Sequence, residues 1–373
     1  MMTWKRSLVI LLCLTLLLAL PACGRRGGAT GSDLTPETSA PATGKPAATT
    51  SDLPSVTAQP TTASSLTPAT EGPTADAVDG ELPVRVMVLN GTTGFGMANL
   101  IWETQQGQAA LNYSFSVETD ASNVTAALVN GSADIAALPT NAAAALYNKT
   151  GGAIQVVALN TLGVLYLLSN GTETVQSLAD LEGKTVYAPA QNPSFILQRI
   201  CDGAGVNVTI DNSYAQPAEL NAAVSAGTVA LAVLPEPMVT IARSQNPDLT
   251  VALDLNEAWE ESAPAGSLVQ GCAVVRREFA EAHPAELAQF LEDYRASLES
   301  LQSDPETGAQ HIEETGVFAK AAVALKALPN CNLCFLVGEE MRSRLSGYLS
   351  LIYETAPASV GGALPAGDFY YIP

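Results

Sequence analysis

The chain has 373 residues, with 37 Asp and Glu against 17 Lys and Arg, which gives a net charge of −20. This acidic surplus repels polyphosphates and anionic headgroups, so nucleic acid is excluded as a partner. Apolar residues make up 47% of the chain at a mean hydropathy of +0.18, enough for a large buried core. We expect a monomer kept in solution by its charge.

The first 22 residues have the pattern of an export signal. Lys5 and Arg6 precede an apolar run over residues 8–20, and small residues lead to Cys23. This pattern resembles a bacterial lipoprotein signal peptide, residues 1–22, cleaved before Cys23. Cys23 would then be lipidated and anchor the protein to the cell membrane, outside the cytoplasm. The alternative is an ordinary cysteine near a secretory cleavage site.

Residues 23–82 join this leader to the body of the protein. After Cys23 they are rich in Ser, Thr, Pro and Ala and contain no aromatic residue. Such a segment cannot bury enough apolar surface to fold, so we predict a disordered linker. Its root-mean-square reach would be roughly 45 Å.

From Pro83 onward, strands alternate with helices of about ten residues, which is typical of parallel βαβ units. The predicted strands are Pro83–Leu89, Tyr113–Val117, Ala133–Leu138, Ile154–Ala158 and Val164–Leu168. The predicted helices are Met97–Glu103, Ser122–Asn130 (with Ser122 as its N-cap) and Pro139–Asn148. We assign residues 83–165 to the first part of lobe 1.

A second alternation follows, and we assign residues 166–262 to lobe 2. Its predicted strands are Thr185–Ala188, Asn207–Ile210, Val229–Leu234 and Leu249–Leu253, and its predicted helices are Ser194–Gly203, Ala218–Ala226 and Pro235–Ser244. A strand at Val269–Val275 returns to lobe 1, residues 263–373. The rest is predicted helical: Pro284–Ser300, Asp304–Thr315, Phe318–Leu328 and Val337–Tyr353. The predicted class is therefore α/β, with two hinge-connected lobes and a helical C-terminal portion.

The sequence favours binding over catalysis. Cys331 and Cys334 form a CxxC, but no second CxxC accompanies them, and His283 and His311 lie well upstream. A zinc site is therefore disfavoured against a local disulfide or two buried thiols. Neither histidine is expected in the cleft, so no general base is evident. We expect no metal, no cofactor and no enzymatic activity.

Polar loops follow the carboxyl ends of the predicted strands, where open α/β sheets bind ligands. The candidate ligand-binding residues are Asn90, Gly91, Thr92, Thr93, Gly94, Phe95, Pro139, Thr140, Asn141, Thr161, Gln191, Asn192, Ser194, Pro235 and Glu236. The glycines of the first loop could instead serve only a tight turn. Glu236 could recognise a ligand N–H or only stabilise the start of its own helix.

The runs Asp134–Asn141, Thr161–Tyr166, Leu234–Pro237 and Ser359–Pro365 together resemble one family. It comprises solute-binding lipoproteins of ABC importers, in the type 2 periplasmic-binding class near the sulfonate, taurine, nitrate and thiamine-precursor binders. The resemblance covers residue 83 to the C-terminus. It implies a two-lobed fold that captures a small solute and delivers it to an ABC permease and its ATPase. The first loop reads Gly91-Thr92-Thr93-Gly94-Phe95-Gly96 here, where the family more often has Gly-Pro-Thr-Gly-Met-Gly.

Two other functions stay open on the same fold: a ligand sensor for a membrane receptor, and an enzyme. For the binder, we expect hinge closure through crossovers near Gly163–Thr172 and Leu253–Gly271. Trp259 would pack at the hinge or form a ligand platform, and Trp102 would lie in the core. The candidate loops contain no Arg or Lys. A neutral or aromatic solute that carries N–H groups is therefore favoured over an oxyanion.

Overall fold

The computed structural model describes residues 78–264 and 266–373, which belong to one compact unit. Cys23, the signal segment and the linker up to residue 77 lie outside the described residues. No helix in the described ranges is both long and apolar enough to cross a membrane.

Eleven strands in this part of the chain form two sheets. The six-stranded sheet has the order β11-β4-β10-β3-β1-β2, and the five-stranded sheet has the order β7-β6-β8-β5-β9. The strands are β1 Pro83–Leu89, β2 Asn112–Glu118, β3 Ile135–Pro139, β4 Ile154–Thr161, β5 Leu165–Ser169, β6 Thr185–Tyr187, β7 Thr209–Asp211, β8 Leu231–Pro235, β9 Thr250–Asp254, β10 Gly271–Arg276 and β11 Leu333–Leu336.

Helices follow most strands and cover the sheets. They are α1 Thr92–Phe95, α2 Ala98–Gln105, α3 Ala121–Asn130, α4 Thr140–Thr150, α5 Asn192–Ala204, α6 Pro217–Ser225, α7 Met238–Gln245, α8 Leu255–Glu260, α9 Arg277–Ala282, α10 Pro284–Ser303, α11 Pro305–Glu314, α12 Ala321–Ala327 and α13 Gly338–Thr355. Short 3₁₀ turns occur at 178–181, 328–330, 357–360 and 367–369. The mixed α/β class with two sheets is thus confirmed.

The sheets are mixed, which differs from the all-parallel units that the alternation predicts. β1 pairs in parallel with β2 and β3, but β10 lies antiparallel between β3 and β4. In the five-stranded sheet, β5 runs antiparallel to both β8 and β9. On β5 and β10 the chain enters a sheet from the other sheet. The βαβ rule concerns successive strands of one sheet, so it does not apply to them.

Several predicted details were wrong. The N-cap of α3 is Asp120, whose carboxylate accepts a hydrogen bond from the Ser122 backbone N–H at 2.8 Å, so Ser122 itself lies inside the helix. The tail after β10 is not wholly helical, because β11 adds an antiparallel edge strand to β4. The helices α8 and α9 were not predicted. Trp102 is only half-buried, since it stacks on His311 at a centroid distance of 4.2 Å on the helical surface.

One apolar cluster is continuous between the two sheets. It contains Val156 and Leu159 of the six-stranded sheet together with Leu167 and Val233 of the five-stranded sheet. Residues of α13 complete it: Met341, Leu345, Tyr348, Leu349 and Ile352. A second cluster fills the other face of the six-stranded sheet under α2, α10 and α11. The two sheets therefore share part of their core.

A buried ion group closes the amino-terminal edge of the six-stranded sheet. The Asp134 carboxylate accepts hydrogen bonds from Arg85 Nε at 2.8 Å and Arg85 Nη2 at 2.6 Å, and Arg276 Nη2 lies 3.4 Å away. The Asp134 side chain is only 2% exposed. Because a buried carboxylate needs such partners, this group joins β1, β3 and β10 at one end.

Candidate functional site

The first candidate loop follows β1 and passes directly into the short helix α1. Gly91 has a φ of 103°, a conformation that favours glycine, and its N–H donates to Val317 O at 3.2 Å. Phe95 is fully buried and packs edge-on against Phe318 at 5.9 Å. A Cβ on Gly94 would lie 2.4 Å from Leu89 O, so this glycine permits close packing. The structure therefore gives Gly94 and Phe95 packing roles. It leaves Asn90 exposed and Thr92 and Thr93 partly exposed.

Thr93 meets the ends of β4 and β10. Asn160 Nδ2 donates to Thr93 O at 3.4 Å, and Thr161 Oγ1 donates to Asn160 Oδ1 at 3.0 Å. A Cβ on Gly271 would lie 2.4 Å from Asn160 Oδ1, so the start of β10 closes over this group. The sequence reasoning missed Asn160. Its signal was a polar residue at the end of the apolar run of β4.

Thr140 and Asn141 open α4 after β3, with Pro139 as the N-cap. Thr140 N donates to Gln270 O at 3.1 Å, and its Oγ1 donates to Val269 O at 2.7 Å. Asn141 is 5% exposed, and its Oδ1 has no hydrogen-bond partner within the described ranges. α4 has no side-chain cap. Thr140 therefore joins the start of α4 to the segment that precedes β10, whereas the buried Asn141 Oδ1 is left without a hydrogen bond among the described residues.

The start of α5 brings the five-stranded sheet to the same place. Tyr348 on α13 is fully buried and donates its hydroxyl to Asn192 Oδ1 at 3.1 Å. The same hydroxyl lies within hydrogen-bonding reach of Thr140, while burial raises the pKa of Tyr348 above its ordinary value. Tyr348, which sequence reasoning missed, thus joins the starts of α4 and α5.

The two other candidates at α5 differ from Asn192. Gln191 is exposed and has a φ of 70°, an unusual conformation for a residue with a side chain. Ser194 donates to Pro189 O at 2.7 Å and accepts from Asn212 Nδ2 at 2.6 Å. Ser194 is therefore occupied in holding its own loop.

Glu236 follows β8 and is 3% exposed. Its carboxylate accepts hydrogen bonds from Thr240 N and Thr240 Oγ1, both at 3.1 Å, and it also pairs with the Asn330 side chain. Burial raises the pKa of Glu236 above its ordinary value, and these hydrogen bonds oppose that rise. The geometry thus favours the helix-start alternative over recognition of a ligand. Pro235, the last residue of β8, lies in register with Leu165.

The two chain crossovers between the sheets lie side by side. The first is short, residues 162–164, and the second ends at Gln270. Val164 N donates to Gln270 Oε1 at 2.8 Å, and Gln270 N donates to Thr161 O at 2.9 Å. Leu162 N donates to Asn332 O at 3.0 Å, which adds the start of β11 to the junction. We call residues 161–164, 268–271 and 332 the hinge segment.

Contacts between the sheets occur beside this hinge segment. A Cβ on Gly91 would lie 3.9 Å from Pro237 Cδ, so the loop after β1 faces the loop after β8. Tyr166 of β5 donates its hydroxyl to Asn330 O at 3.0 Å. Trp259 is 1% exposed, donates to Ser267 Oγ at 2.9 Å and packs against Tyr348. This favours hinge packing for Trp259 over a ligand platform.

Two surface cavities lie away from these loops. One of about 290 Å³ is lined by Arg85, Asp134, Arg276 and His283 at the opposite edge of the six-stranded sheet. The other, of about 450 Å³, lies among α10, α11, α12 and β11 and is mostly apolar. Neither contains a residue from the candidate list, although the second includes Asn332 of the hinge segment.

Groups that could perform metal or acid–base chemistry are dispersed in the described part of the chain. No set of three or more His, Cys, Asp or Glu residues there is placed to hold a metal. His311 pairs with Asn99 at 2.7 Å, and His283 lies 4.0 Å from Glu286, both on the helical side. Cys201, Cys272 and Cys331 are buried free thiols, and Cys334 is a half-buried free thiol, so the CxxC holds two thiols, one of them only partly buried, and no disulfide.

Several solved structures share this fold. An ABC transporter protein from Parabacteroides distasonis is 25% identical, covers 79% of this chain and 99% of its own, and has a TM-score of 0.67. The periplasmic aliphatic sulphonate binding protein SsuA from Escherichia coli is 18% identical, with coverages of 78% and 92% and a TM-score of 0.62. A zinc-bound ligand-binding component of an ABC-type import system from Staphylococcus aureus is 14% identical, with coverages of 78% and 97% and a TM-score of 0.59. The type 2 periplasmic-binding fold is thereby confirmed.

A family model described as menaquinone biosynthesis matches residues 100–345, which is more than half of the chain. No curated protein matches the chain. The matched range contains β2 to β11 and includes the whole hinge segment. The chain therefore belongs to the family described as menaquinone biosynthesis.

Proposed function

We propose that this protein is an extracytoplasmic solute-binding lipoprotein of an ABC importer. In this proposal two lobes, residues 83–165 with 263–373 and residues 166–262, close on a small organic solute and deliver it to the permease and its ATPase. The observation that carries the proposal is the meeting of polar loops from both sheets beside two adjacent crossovers. Tyr348 marks this meeting point, 3.1 Å from Asn192.

The hinge segment supports a closing motion. Its hydrogen bonds join the two crossovers to one another, through Val164 and Gln270 and through Thr161 and Gln270. Paired crossovers of this kind concentrate rotation in a few residues while each sheet stays rigid. A solute between the loops would gain contacts from both sheets only in the closed form.

The neighbours' names support the class of function. The Parabacteroides distasonis structure is an ABC transporter protein, and the Escherichia coli structure binds aliphatic sulphonates. We carry over the role in ABC import and leave the solute open. The lipid on Cys23 and the linker after it would keep a monomeric binder close to its permease and raise its effective concentration there.

The family description favours a second candidate, an enzyme that acts on a small molecule in the same cleft. The placement of both histidines on the helical side weighs against it, as does the engagement of Glu236 with Thr240. Mass spectrometry separates the two candidates. A binder returns its solute unchanged after denaturation, whereas an enzyme converts it during incubation.

The direct test combines small-angle scattering and thermal unfolding of the protein across a solute library. A bound solute is expected to reduce the radius of gyration and raise the melting temperature together. The Gly347→Ala variant serves as a control, because a Cβ there would meet nothing within 4 Å. One unchanging compact form and an unchanged melting temperature with every solute would contradict the proposal.

A further inference from the structure

Two helix starts from different sheets converge at Tyr348. α4 begins at Thr140 and follows β3 of the six-stranded sheet. α5 begins at Asn192 and follows β6 of the five-stranded sheet. Neither helix has a side-chain cap. The first-turn N–H groups of a helix have no partner within the helix, and the helix dipole makes that end attractive to hydrogen-bond acceptors. Here Thr140 N already donates to Gln270 O, and Pro193 in the first turn of α5 has no N–H, so the donors come from the other first-turn residues. The site therefore offers donors from both sides.

Asn141 adds an acceptor at the same point. It lies in the first turn of α4 and is only 5% exposed, and its Oδ1 has no hydrogen-bond partner among the described residues. Its neighbour Thr140 has already committed its hydroxyl to Val269 O. Buried side-chain acceptors in proteins almost always receive a hydrogen bond, so a donor from outside the chain is called for.

Apart from Glu236, the polar side chains among the candidate residues carry hydroxyl and amide groups and no charge. Four of these residues are uncharged: Thr93, Thr161, Gln191 and Asn192. The Glu236 carboxylate is already hydrogen-bonded to Thr240 and Asn330. No Lys or Arg occurs among the candidate residues. A charged solute would therefore lack a countercharge from these residues, whereas a neutral polar group would find both donors and acceptors.

We propose that the starts of α4 and α5, with the Asn141 side chain on α4, bind the amide-type edge of a neutral solute. The solute N–H donates to Asn141 Oδ1, and its adjacent carbonyl oxygen accepts from first-turn backbone N–H groups. A lactam, urea or pyrimidinone edge carries an N–H beside a carbonyl, which matches the Asn141 acceptor and the backbone donors near it. This inference rests on the proposed function, because it places the solute in the same cleft.

The experiment uses three probes in a thermal unfolding assay at millimolar concentration: uracil, 1,3-dimethyluracil and ethanesulfonate. Uracil carries the proposed edge, dimethyluracil has the same ring without N–H, and ethanesulfonate is an anion. We expect uracil alone to raise the melting temperature, by a few degrees. Asn141→Leu should abolish that shift without lowering the melting temperature of the ligand-free protein. Asn141→Ala gives the same readout if the leucine variant does not fold, and Gly347→Ala should keep the wild-type response.

The outcomes separate this inference from the proposed function. An equal response to dimethyluracil, or a uracil response that survives in both Asn141 variants, overturns the amide-edge site. A response to ethanesulfonate in place of uracil also overturns it, while leaving a solute-binding protein in place. If no probe changes the melting temperature, the amide-edge site is overturned. If, in addition, no library solute changes the radius of gyration, the proposed function fails as well.

Discussion

Gly163 in the hinge segment offers a sharp test of the packing between the sheets. A Cβ on this residue would lie 2.4 Å from Asn256 Oδ1, 2.8 Å from Asn256 Cβ and 2.8 Å from Leu268 Cδ2. The backbone itself would accept alanine, because Gly163 is not among the residues with positive φ. Any cost of Gly163→Ala is therefore a cost of packing.

The magnitude follows from the number of close contacts. Overpacking a well-filled interior by a methylene-sized group costs about 1–3 kcal/mol. Two of the three clashing atoms belong to one side chain, so Asn256 can relieve part of the strain by moving. We expect the free energy of unfolding to fall by about 2 kcal/mol, which corresponds to about 3 °C in melting temperature for a folded unit of this size.

Urea denaturation at fixed temperature measures this change, and Gly347→Ala is its matched control. Gly347 lies inside α13, is exposed and has no atom within 4 Å of an added Cβ. Alanine there should raise stability by about 0.5–1 kcal/mol, because glycine is a poor helix former. The reasoning is refuted if Gly163→Ala is as stable as the wild type, or if both variants change stability in the same direction.

Three further results are expected. Asp134→Asn should lower the free energy of unfolding by about 3 kcal/mol in urea denaturation, since it leaves two arginines without their shared carboxylate. This value is at the low end for a buried ion pair because the Arg85 side chain is 43% exposed. A loss below about 1 kcal/mol would contradict this prediction. Burial raises the pKa of Glu236 in the folded protein, so its contribution to stability falls as the pH rises through the interval between the unfolded and folded pKa values. Glu236→Gln should therefore melt above the wild type at pH 7, with the difference shrinking as the pH approaches the ordinary value of 4.5, and a pH-independent difference would argue against this. Burial raises the pKa of the Cys334 thiol to about 12 and also raises the pKa of Cys331. Thiol reagents at pH 8 should therefore label both cysteines far more slowly in native than in unfolded protein. Rapid native labelling, or a disulfide between them, would count against two free thiols of raised pKa.

The order of strands and helices was largely predictable because it follows from local hydrophobic patterns in the sequence. β1 was predicted with the bounds it has, since its run of β-branched and apolar residues favours a strand. The directions of β5 and β10 were not predictable in this way. They depend on how the chain passes between the sheets, and alternation of strands and helices carries no signal for such a crossover.

The candidate site was predictable only as far as loops at strand ends. Position after a strand indicated Thr140 and Asn192, yet it could not distinguish Asn141, with an unpartnered oxygen, from Ser194, which holds its own loop. Tyr348 lies more than 150 residues beyond Asn192 in the chain and on a helix that reads as ordinary amphipathic surface. Such long-range contacts depend on tertiary packing, which a linear pattern does not record.

The apolar cluster shared by the two sheets has a consequence for how the chain is made. Met341, Leu345, Tyr348, Leu349 and Ile352 come late in synthesis, yet they complete the interior against which strands of both sheets pack. Until α13 is available, apolar side chains of both sheets lack their final cover. A nascent chain should therefore stay incompletely folded until those residues emerge, which is the state that an export pathway for unfolded chains requires.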